Sequence, residues 1–162
     1  MSLISLSSAT VVDQVIGPYD VTFDLTNSSL QLNSSASYWD ESYPNMATGT
    51  VYIVLKSRPS YEVADITIMH NPEHNGMIYY PDGLESRLEE DGFQNVQTYT
   101  RTIDGNREGT LTVSERPNGG KYYLAEYRMD ENTLIEIKSW LPMDGGTGDL
   151  LNTIHVGEAV IA

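Results

Sequence analysis

His70-Asn71-Pro72-Glu73-His74 places two imidazoles four residues apart with a carboxylate beside the second. On one face of a helix such a set holds zinc and activates a bound water, the pattern of inverted zinc proteases. His70, Glu73 and His74 are therefore candidate metal ligands, and a metal-dependent hydrolase is the enzymatic reading of the chain. The flanking residues oppose that reading: the run follows a strand-like segment, Pro72 lies inside it, and Asn75-Gly76 stops a helix within a turn. A polar loop explains the same residues with less.

A second oxygen-rich set is Asp144-Gly145-Gly146-Thr147-Gly148-Asp149, in which acid and glycine can bend a backbone around calcium. Asp144 and Asp149 are its candidate ligands, although the spacing is not that of an EF-hand loop, and a turn followed by a helix cap accounts for it equally. The third set is aromatic. Tyr38, Trp39, Tyr43, Tyr79 and Tyr80 lie in or beside expected loops, where flat rings stack on sugars or anchor a protein partner; cross-strand packing is the alternative. Nucleophilic catalysis has little material, because the chain has no cysteine and no Gly-x-Ser-x-Gly elbow. No catalytic residue is assigned, and no cofactor is expected.

Acidic residues number 23 and basic residues 9, a formal net charge of -14. The summed field repels phosphate backbones and anionic headgroups, so nucleic acid and membrane surfaces are poor partners. No run approaches the roughly 20 apolar residues of a membrane-spanning helix, and no membrane insertion is expected. The Ser-rich opening and the triplets Asn27-Ser28-Ser29 and Asn33-Ser34-Ser35 favour a place outside the cytoplasm or at the cell surface.

The elements that must position these groups follow from hydrophobic period. Tyr19, Val21, Phe23 and Leu25 alternate with Asp20, Thr22 and Asp24, as in a strand with one wet face. Residues 27–46 read as a long loop with a short strand near Leu30 and Leu32. Thr50 to Ser57 and Ala64 to His70 read as central strands joined by a turn at Arg58-Pro59-Ser60. A helix starts near Asp82, carries Leu84 and Leu88 on one face, and ends at Gly92 with Phe93 folding back. Four strands follow: Val96 to Ile103, Arg107 to Ser114, Lys121 to Met129 and Leu134 to Leu141, with Asp104-Gly105 suited to a tight hairpin. Thr147 is expected to cap a closing helix bearing Leu150, Leu151, Ile154 and His155.

This order predicts an α+β fold: one domain over residues 11–162, with an antiparallel sheet of about six to seven strands flanked by two helices. Residues 1–10 read as a vector leader and flexible segment. The helix ending at Gly92-Phe93, the Ile103-Asp104-Gly105 hairpin, the strand Leu134 to Trp140 and the final helix through Leu151 and Ile154 resemble the Mog1/PsbP-like domains. That resemblance, over about the last half of the chain, implies an α/β/α sandwich and a non-catalytic binding or assembly role. The opening Gly17-Pro18-Tyr19-Asp20-Val21 is similar to the start of uncharacterised archaeal surface proteins. The expected function is a non-enzymatic extracytoplasmic binding or assembly domain with a protein or carbohydrate partner.

Overall fold

The computed structural model describes residues 9–35, 37–43, 46–72 and 84–160, and of these 62% are strand and 12% helix. The strands are β1 (Thr10–Ile16), β2 (Tyr19–Leu25), β3 (Leu30–Leu32), β4 (Tyr38–Tyr43), β5 (Met46–Leu55), β6 (Arg58–His70), β7 (Gln94–Ile103), β8 (Arg107–Glu115), β9 (Lys121–Asp130), β10 (Thr133–Ser139) and β11 (His155–Glu158). The helices are α1 (Leu84–Glu90) and α2 (Thr147–Thr153), the second preceded by a short 3₁₀ turn over Met143–Gly145.

The strands form two antiparallel sheets. A three-stranded sheet has the order β1-β2-β11, and an eight-stranded sheet the order β3-β5-β6-β10-β9-β8-β7, with β4 also paired to β5. The alternation in β2 explains why the small sheet packs on the large one. Tyr19, Val21, Phe23 and Leu25 are buried, while Asp20, Thr22 and Asp24 between them stay partly wet. Their counterpart is a row of facing residues on successive strands of the large sheet: Val51, Ile66, Ile137, Ala125 and Leu111. Leu150, Leu151, Ile154 and Val156 join the same core. Burying each such aliphatic group is worth roughly 1.5–3 kcal/mol, so sheet-on-sheet contact dominates the stability. Helices of seven residues are marginal without it.

The opposite face of the large sheet carries a smaller core of Leu88, Tyr122 and Leu124, bordered by Leu84, Phe93, Val96 and Trp140. Tyr122 and Leu124 alternate along β9 with Tyr123 and Ala125 of the main core, which puts the two clusters on opposite faces.

The expected α+β sandwich of one sheet flanked by two helices is therefore overturned. The layer over the main core is a second sheet, which α2 joins through Leu150, Leu151 and Ile154, while α1 lies over the other face through Leu88. Part of the region read as loop forms β4, and Arg58-Pro59-Ser60 belongs to β6, the turn falling at Lys56-Ser57. His155 opens β11 rather than lying on the closing helix. Thr147 does not cap α2: its hydroxyl donates to Leu141 O at 2.7 Å and lies 2.8 Å from Ser139 Oγ, tying the helix to the end of β10.

Other expectations hold. Asp104 and Gly105 take φ values of 49° and 76° at the hairpin between β7 and β8. Gly92 has φ 86°, and the Phe93 N–H donates to Leu88 O at 2.9 Å, ending α1. Among the described residues no helix is long and apolar enough to cross a membrane.

Candidate functional site

The sequence candidates scatter. Tyr38 and Trp39 are neighbours on β4 and so point to opposite sides. Trp39 packs against the main core, its ring centroid 5.7 Å from that of Tyr19. It fills a slot over Gly17 and Gly49, where any added Cβ would overlap the indole. Tyr38 is 53% exposed and pairs with Thr50, on the opposite side from the small sheet. Tyr43 ends β4, and Tyr79 and Tyr80 lie outside the described residues.

His70 stands at the end of a strand, with Nδ1 3.0 Å from the Tyr19 hydroxyl and 2.9 Å from that of Thr133. It serves a polar cluster under the small sheet; Glu73 and His74 lie outside the described residues. Asp149 accepts the Thr26 N–H and hydroxyl at 2.8 and 2.7 Å, fastening α2 to the end of β2, while Asp144 is exposed on the 3₁₀ turn. Among the described residues, no group of three or more histidine and carboxylate side chains could hold a metal ion.

What the structure does bring together lies on the face of the large sheet away from the small one. In register across seven strands stand Tyr38, Thr50, Thr67, Glu136, Glu126, Thr110 and Thr100. The next row reads Tyr52, Asp65, Lys138, Leu124, Thr112 and Thr98. Direct cross-strand neighbours lie about 5 Å apart, close enough for their side chains to meet. Thr50 and Thr67 are joined at 3.1 Å and Thr98 and Thr112 at 2.9 Å by their hydroxyls. Lys138 Nζ lies 2.8 Å from Glu136 Oε1.

Two acids in these rows are buried: Asp65 is 6% exposed and Glu126 8%. Burial, then the charge of Glu136 and a proton shared with it, pushes the Glu126 carboxyl up to about 7, with Lys138 pulling the other way. Burial and a proton shared with Glu62 push Asp65 up to about 7 in the same manner. Burial alone would lower the Lys138 ammonium, but the bond to Glu136 and the charges of Glu136, Asp65 and Glu62 together hold it above its usual value. Neighbouring carboxylates resist double ionisation, the direction in which both Glu126 and Asp65 are moved.

A cavity of about 230 Å³ lies against Glu126, lined also by Thr100, Glu108, Thr110, Arg128 and Leu134. Thr100, Glu108 and Arg128 are exposed, so its rim reaches solvent. It is smaller than the ~300–1,000 Å³ of sites for drug-sized ligands, which fits a small molecule or the terminal group of a larger one.

A second polar constellation surrounds Asp104. Its carboxylate accepts the Tyr127 hydroxyl at 3.0 Å and the Val156 N–H at 3.1 Å, pairs with Arg107 at 2.8 Å, and lies 2.7 Å from His155 Nδ1. An Asp–His pair can orient a general base. Here the carboxylate is occupied on both oxygens by groups from β8, β9 and β11, and among the described residues no hydroxyl is bonded to the other ring nitrogen. The arrangement works as a latch between the two sheets.

Glu126, Glu136, Lys138, Asp65 and Glu62 were not singled out from the sequence. A signal was present: Asp65 stands between Ala64 and Ile66, and Glu126 between Ala125 and Tyr127, each an acid with an apolar or aromatic neighbour on either side. No protein-family profile, characterised protein or solved structure matches this chain.

Proposed function

We propose that the chain is a non-enzymatic, extracytoplasmic binding domain whose ligand enters the cavity against Glu126 on the polar face of the large sheet. One observation carries this reading: a carboxyl more than nine-tenths buried lines a cavity that reaches solvent, and its contact is another carboxyl, Glu136. A carboxyl with a raised pKa at the wall of a cavity is a recurrent mark of a binding site. Among the described residues no hydroxyl is bonded to the other ring nitrogen of the Asp104–His155 pair, which supports binding over turnover. The place outside the cytoplasm rests on the Ser-rich opening and the asparagine triplets; Asn27 of the first triplet donates its amide to Gly145 O at 2.9 Å, which leaves Asn33 as the better glycan acceptor.

The test is an amide NMR screen of the folded chain against pools of small sugars, amines, amino acids and carboxylates. A binder should shift the Thr100, Thr110, Glu126 and Arg128 resonances together, and lose that effect in Glu126→Gln. Two results contradict the proposal: no compound moving this set, or a measured turnover that Glu126→Gln abolishes.

A further inference from the structure

An unpaired strand edge is a template for another strand, and proteins blunt such edges with charges, bulges or brevity. The edges formed by β1, β11 and the β3–β4 side of the large sheet are blunted. β11 has four residues. β4 carries Asp40 and Glu41 and shifts register between Asp40 and Tyr43, and β3 beside it has three residues. β1 has exposed Asp13 at its centre, with Asp20 and Asp24 on the strand behind it. β7 differs. It has ten residues, pairs only with β8 among the described residues, and is exposed along most of its length. Its one irregularity lies between Gln94 and Gln97; from Gln97 to Ile103 it matches β8 residue for residue. None of the chain's 23 acids falls on β7, and its only charge is Arg101. The acids of β8, Glu108 and Glu115, stand one strand in, toward its two ends.

We infer that β7 is a dimerisation edge, pairing antiparallel with β7 of a second copy of this chain about a two-fold axis at Thr100. On a molecule of net charge -14, this strand is where two copies can approach without carboxylates meeting at the seam. The side chains select the register. Centring on Thr100 places Arg101 of each copy opposite Tyr99 of the other, a guanidinium against an aromatic ring, and Thr98 opposite Thr102. Centring on Arg101 would set two guanidiniums against each other. Arg101 is already held at the edge, its Nη2 donating to Asn152 Oδ1 at 2.6 Å, and Tyr99 is 50% exposed. The pairing uses backbone groups along the edge and is independent of the cavity against Glu126.

A contact of one strand pair is at the low end of stable interfaces, so the dissociation constant is on the order of 10–100 μM. Sedimentation velocity from about 5 μM to about 500 μM should show the mass of one chain giving way to that of two. Because each copy is acidic, association should tighten between about 0.05 M and about 0.5 M salt. Amide hydrogen exchange over the same concentrations should slow in β7 as the dimer forms. Tyr99→Arg, at an exposed site, sets an arginine opposite Arg101 and should weaken the dimer roughly tenfold; adding Arg101→Glu should restore it. A chain that stays monomeric at every concentration overturns the inference, as does a dimer that slows exchange at β1, β4 or β11 but not at β7, or one that Tyr99→Arg leaves unchanged. Protection of β7 that is the same at every concentration also overturns it, by placing another segment of the same chain on the edge.

Discussion

Glu126 and Asp65 each occupy a place where an aliphatic side chain would pack without desolvation cost, so their presence calls for a reason beyond stability. The cost has a pH signature. Free in an unfolded chain, Glu126 titrates near 4.5, and in the folded chain it is pushed up to about 7. Between those values the folded protein holds a proton that the unfolded chain has released, so raising the pH through this window removes stability; below it the effect vanishes, and above it the loss is complete. Asp65, moved from 3.8 to about 7, acts in the same direction. Thermal melts should therefore show the wild-type chain losing stability between about pH 5 and about pH 8. Glu126→Gln should match it near pH 5 and exceed it near pH 8, on the order of 2 kcal/mol once water reaching the carboxyl from the cavity is allowed for. A variant equal to wild type at both pH values would mean that Glu126 is not held protonated.

At the scale of elements, the hairpin of β1 and β2 depends on Gly17 for two reasons. It has φ 55° at the turn, and its missing Cβ leaves the surface on which Trp39 lies. Gly17→Ala should cost about 2–3 kcal/mol in urea denaturation, through strain and lost packing, and should shift the Trp39 emission to the red. An unchanged midpoint would show that the indole does not sit on this turn. The same hairpin shows which elements could be read in advance. β2 was legible because its buried and wet positions alternate without exception, and the β7–β8 hairpin because Asp104-Gly105 names its own turn. β1 was not, since Val11 and Val15 on its outer side are 69% and 55% exposed while Gln14 points the other way, which erases the period. Gly17-Pro18 was the available clue, a glycine able to take positive φ followed by a proline in a two-residue loop. β11 has four residues, too few for a period to register.

For the whole molecule, the missing information was long-range pairing. β10 inserts between β6 and β9, and that order alone sets Glu136 beside Glu126 and Lys138 beside Asp65. Each residue was visible as a wet position on a strand, but their meeting was not. The same limit turned three strands from the two ends of the chain into a separate sheet where a helical layer was expected. Asp104 holds that sheet in place, joining the β7–β8 turn to Val156 and His155 of β11. The small sheet covers one face of the large sheet, and the acid pairs stand on the other. The most direct measurement of this account is a pH titration of the Glu126 side-chain carboxyl by carbon NMR in the folded, ligand-free chain. It should titrate near 7; a midpoint near the ordinary glutamate value would contradict the account.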